Sequence, residues 1–95
     1  MLFHITHTHS GDTCPYHEPE VVAQTFAKVM ADAPDSGVTL VGAYADAAAH
    51  QMFFVVEADA AQEIQKFLDP IIDMGDTRTQ PVVDFAALTK ERAES

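Results

Sequence analysis

The sequence predicts an α+β domain: a four-stranded sheet with two helices on one face and a short helix after the last strand. Two observations predict it. Hydrophobic spacing alternates between a period of two and a period near 3.6, in the order β-α-β-β-α-β. The chain of 95 residues is also 47% hydrophobic, enough for one core and too apolar for an acidic disordered tail. The same length argues for a single domain spanning 1–95, with no internal repeat and no linker. Cys14 is the only cysteine, which excludes an internal disulfide.

The elements follow in order. Met1 to His9 places Phe3, Ile5 and His7 on one parity and Leu2, His4, Thr6 and Thr8 on the other, a threonine-rich strand. Ser10 to Pro19, with Gly11, Asp12 and Pro15, reads as a loop. Val21 to Ala33 carries Val22, Phe26, Val29 and Met30 at helical spacing, with Glu18 and Glu20 at its start and Pro34 and Gly37 beyond its end. Val38 to Tyr44 forms a second strand, Asp46 to Ala49 a turn, and Gln51 to Val56 a third strand apolar on both parities. Asp59 is placed to cap a helix whose buried stripe is Ile64, Phe67, Leu68 and Ile71, with a break expected near Asp69 because Pro70 interrupts it. Thr77 to Phe85 reads as a last strand, demoted to a sheet edge by Pro81, and Asp84 to Ala93 as a terminal helix.

This order is the split βαβ arrangement of ferredoxin-like domains. Right-handed crossovers are expected to set the first and third strands side by side and parallel at the centre of the sheet. Phe53 and Phe54 then point to opposite faces, so the face without helices needs a cover, most simply a second copy of the chain. In element order and length nearly the whole chain resembles the dimeric α+β-barrel superfamily. The resemblance implies the fold and a homodimer. It does not choose a function, because members include cofactor-free monooxygenases, lactone isomerases, haem-degrading enzymes and stress-response proteins.

Fifteen acidic and five basic residues give a net charge of −10, which would repel a phosphate backbone, and the basic residues form no cluster. Nucleic acid is therefore not expected as a partner. No apolar run approaches the roughly 18 residues of a membrane helix. The opening MLFHITHTHS lacks the pattern of a secretory signal, so a cytoplasmic location is expected.

Chemistry concentrates near the start of the chain. His4, His7, His9, Cys14 and His17 fall within one fourteen-residue stretch, where about one histidine would be expected from five in 95. His7 and His9 share a strand face, roughly 7 Å apart, and Cys14 and His17 follow at a spacing that lets two ligands converge. His-x-His with Cys-x-x-His supplies an N₃S set suited to zinc or copper. With parallel central strands, Glu57 and Asp59 would end at the same edge, and an added oxygen ligand, Glu57 first, would admit iron. The plain alternative is that these histidines are surface residues and Cys14 a small buried hydrophobe.

Other readings use other residues. His4 lies on the opposite face and, with Tyr44, Phe53 and Phe54, could line a dimer pocket for a small apolar substrate, His4 acting as general base. A haem-binding member would use one histidine as axial ligand. His17 could hold Cys14 as a nucleophilic thiolate, although no resolving cysteine exists. His50 is expected to be exposed and distant from His7, and Arg78 to form a surface ion pair or anchor an anion.

Overall fold

The computed structural model describes residues 1–94 and contains one sheet of four strands in the order β2-β3-β1-β4. The strands are β1 (Leu2–His9), β2 (Thr39–Asp46), β3 (Gln51–Glu57) and β4 (Gly75–Val82). The helices are α1 (Pro19–Gln24), α2 (Phe26–Ala31), α3 (Ala61–Leu68) and α4 (Phe85–Glu94). As the sequence predicts, β1 and β3 are the central pair, the proline-bearing β4 lies at an edge, and a turn joins β2 to β3. No helix among the described residues is long and apolar enough to cross a membrane.

The direction of the central pair differs from expectation. β1 runs antiparallel to β3, with Leu2 opposite Glu57 and Thr8 opposite Gln51. Chain connectivity explains it. The helical crossover makes β1 and β2 parallel, and the tight turn from β2 to β3 reverses the chain, so β3 must oppose β1. The start of β3, not its end, therefore lies beside His9.

One face of the sheet carries the core. Ile5 from β1 and Phe54 and Val56 from β3 pack against Val29, Ile64, Phe67, Leu68 and Ile71, all nearly or fully buried. Phe54 meets Phe67 edge to face, ring centroids 5.6 Å apart. Full burial of a side chain such as Phe67 contributes about 1.5–3 kcal/mol. Phe53 points the other way, as alternation requires.

Local chemistry reshapes the helices. The stretch expected as one helix from Val21 breaks at Thr25, whose hydroxyl donates to the Val21 carbonyl at 2.7 Å and whose backbone leaves helical geometry at φ −118°, ψ −93°. Gly37, at φ 80°, ends the turn after α2 in a conformation that favours glycine. Asp59 does not cap α3. The Glu63 carboxylate instead reaches back and accepts the backbone N–H groups of Asp59 and Ala60, both at 2.9 Å. Pro70 stops α3 at Leu68 and continues the chain as a single 3₁₀ turn, Asp69–Ile71. Gly75 is required at the start of β4 because a Cβ there would overlap the Thr8 carbonyl. Asp84 caps α4, its carboxylate accepting the Ala87 N–H at 3.0 Å, yet α4 buries none of its residues.

Candidate metal centre

Alternation along β1 sends Ile5, His7 and His9 to the helix side and His4, Thr6 and Thr8 to the open side. His7 is fully buried and His9 is 4% exposed. Their ring centroids lie 5.3 Å apart, and Phe26 of α2 packs against both, at 5.5 Å from His7 and 5.6 Å from His9. The shared face is therefore as the sequence predicts, with Phe26 as its lid.

His50 joins this group. The turn at Asp46 to His50 is held by Ala49 N–H donating to the Asp46 carbonyl and carboxylate, at 3.2 and 3.3 Å, and by His50 N–H donating to the Ala47 carbonyl at 3.2 Å. It leaves His50 in the left-handed region at φ 53°, a conformation uncommon for a residue with a side chain and costing on the order of 1 kcal/mol or more. The His50 carbonyl then accepts the His9 N–H at 3.1 Å, which brings the two rings to 5.3 Å at an interplanar angle of 64°.

The loop after β1 returns over this edge and supplies Cys14. One ligand atom each from His9, Cys14 and His50 lie within 4.8 Å of one another, a grouping able to hold a metal ion. The three stand on the wall of a cavity of about 560 Å³ shared with Tyr16, His17 and Met52. Both ring nitrogens of His9 are buried and have no hydrogen-bond partner among the described residues, and the same holds for both nitrogens of His7. A buried, unpartnered polar group costs about 1–3 kcal/mol, so these imidazoles are expensive in the absence of a ligand. Burial lowers the pKa of His7, with His9 lowering it further and Asp76 opposing. Burial also lowers that of His9, with His50 adding to the effect. Both rings are thereby biased to the neutral form that binds metal ions.

The expected ligands divide into four groups. His9 and Cys14 converge. His7 sits behind His9, opposite Thr77, whose hydroxyl is also buried and unpartnered. His17 lines the cavity but is exposed, its ring edge-on to Tyr16 at 5.0 Å. Glu57 lies at the far end of the ladder, where its carboxylate accepts from the Met1 ammonium at 3.1 Å. The antiparallel register that places Glu57 and Asp59 there is what brings His50 in, so the expectation of a distant His50 is reversed. The signal was present in the sequence: a turn of a few residues between β2 and β3 forces a hairpin, and a hairpin puts residue 50 at the end of β1.

The residues expected to line a dimer pocket separate as well. His4 and Phe53 meet on the open face, ring centroids 6.0 Å apart, and Tyr44, opposite Phe53, is 67% exposed there. Phe54 is 3% exposed and belongs to the core on the other side of the sheet.

A family profile described as "Domain of unknown function (DUF3303)" matches residues 1–94. The crystal structure of SCO4226 from Streptomyces coelicolor A3(2) aligns over 88% of this chain and 100% of that one, with a TM-score of 0.56 and 18% sequence identity. That likeness is one of fold. No curated protein matches the sequence.

Proposed function

The chain belongs to the DUF3303 family, and for this member we propose that it binds a transition metal ion through His9, Cys14 and His50. One observation carries the reading: three soft or borderline donors from two sequence-distant segments converge within 4.8 Å, and the most buried of them, His9, has no other partner for either ring nitrogen. Two neutral imidazoles and a thiolate make an N₂S set, which suits zinc or copper better than the oxygen-preferring metals. Iron is disfavoured because Glu57, the expected oxygen ligand, is occupied elsewhere.

The test is metal analysis of untagged protein, purified without metal affinity and reconstituted anaerobically with Zn(II) and with Cu(I). The reading predicts one ion per chain, lost on His9→Ala and on Cys14→Ser. Retention of the ion by both variants, or no binding by the wild type, would overturn it.

A second copy of the chain is the partner we propose. Support comes from the open face, where Tyr44 and Phe53 stand without helices over them, and from α4, which has no fully buried residue and leaves Phe85 76% exposed, with Val83 just before it 69% exposed. Isolated helices of about this length are marginal in water, so α4 requires a surface to pack on. Sedimentation of the intact protein as a monomer at micromolar concentration would remove this partner.

A further inference from the structure

Three protein donors leave a fourth position, and the wall of the cavity determines what can fill it. Its side-chain donor atoms beyond His9, Cys14 and His50 come from Met52, Tyr16 and His17. Among the described residues no carboxylate lines it. Of the three, Met52 alone is carried by the sheet: it lies in β3 opposite His7 of β1 and Ala45 of β2, hence on the same face as His7 and His9. It is two residues from His50 and is packed against the core, whereas Tyr16 and His17 stand exposed on the loop.

We propose that the Met52 thioether is the fourth ligand and that it makes the site selective for copper. The proposal rests on the three-ligand reading above. A methionine side chain has three rotatable bonds and a polarizable sulfur, so it can swing from the core edge toward an ion held by its neighbours without a backbone change. The resulting His₂CysMet set is soft on two of four positions and has no oxygen donor. Zinc draws its ligands from Cys, His and carboxylates, so the thioether adds little for zinc. Copper accepts thiolate, imidazole and thioether together. With four protein ligands the ion is enclosed, which fits holding or transferring copper rather than activating a bound substrate.

Met52→Leu conserves volume and is expected to fold. Affinities of the intact protein for Cu(I) and for Zn(II) are measured by anaerobic competition with chromophoric chelators, in the wild type, Met52→Leu and Cys14→Ser. The proposal expects Met52→Leu to weaken Cu(I) by about tenfold or more while zinc changes by less than about threefold. X-ray absorption at copper should show two sulfur ligands in the wild type and one in Met52→Leu. A single sulfur in the wild type, or equal losses for both metals, would overturn it and point to Tyr16, His17 or an external fourth ligand. If Cys14→Ser leaves Cu(I) binding unchanged, the three-ligand site itself fails, and Met52 with it.

Discussion

At one end of the β1–β3 ladder the Met1 ammonium and the Glu57 carboxylate meet at 3.1 Å, with their side chains 62% and 50% exposed. At the other end His9 lies against His50 with both of its nitrogens buried and unpartnered. The two ends are built by the same register and differ in water. An exposed pair is screened and already satisfied, so it contributes little to stability. The buried His9 imidazole, whose nitrogens have no hydrogen-bond partner among the described residues and which lies beside a cysteine and a second histidine, is unsatisfied and gains most from an ion. Polarity at a strand end marks a functional site when the groups are buried, close and lack partners, and the two ends of this ladder separate those conditions from mere charge.

Breaking the buried end should have the largest effects. Cys14→Ser and His9→Ala are each expected to lower metal affinity by more than about 100-fold, beyond the 10–100-fold typical of residues that only support a ligand. Competition titration reads this directly. Next in size is the stabilisation conferred by the ion. At a free concentration 100 times the Kd it is about 2.7 kcal/mol, a rise in Tm on the order of 10–20 °C by calorimetry. The Glu57 end supplies the control, since Glu57→Gln should leave that rise intact.

Removing the unsatisfied polarity should shift stability without a metal ion. His7→Leu replaces a fully buried imidazole whose nitrogens lack partners, and should stabilise the metal-free protein by about 1–3 kcal/mol in urea denaturation. It should also flatten the pH dependence. Because burial lowers the pKa of His7 and His9 in the fold, the unfolded chain binds protons more readily. Stability is therefore complete above the unfolded value of about 6.5 and is lost as pH falls through it toward the folded pKa. A wild-type protein equally stable at pH 7.5 and 5 would contradict this. A smaller effect is expected for His50→Gly, which relieves the left-handed backbone and should stabilise the metal-free protein by about 1 kcal/mol while abolishing metal binding. Glu57→Gln is the smallest, within about 1 kcal/mol of wild type.

Much of this was legible in the residues. Alternation in LFHITHTH put His7 and His9 on one face, and the switch of periodicity gave the element order and the central pair. Strand direction differs from the expectation, and the exchange of Glu57 and Asp59 for His50 at the site follows from it, whereas His7 stands further back along β1 and His17 is exposed on the loop. Parity alone also could not decide which of Phe53 and Phe54 joins the core, since both are apolar and the choice depends on which face the helices cover. The break at Thr25 and the capping by Glu63 are short-range competitions for backbone groups, decided by geometry that helical spacing does not encode.

On the proposed reading His50, not Glu57, completes the site begun by His9 and Cys14. Zinc titration of His50→Ala and Glu57→Gln side by side tests it most directly. The predicted result is that His50→Ala loses stoichiometric binding while Glu57→Gln binds as the wild type does. Loss of binding in Glu57→Gln with retention in His50→Ala would overturn the assignment of His50 as a ligand.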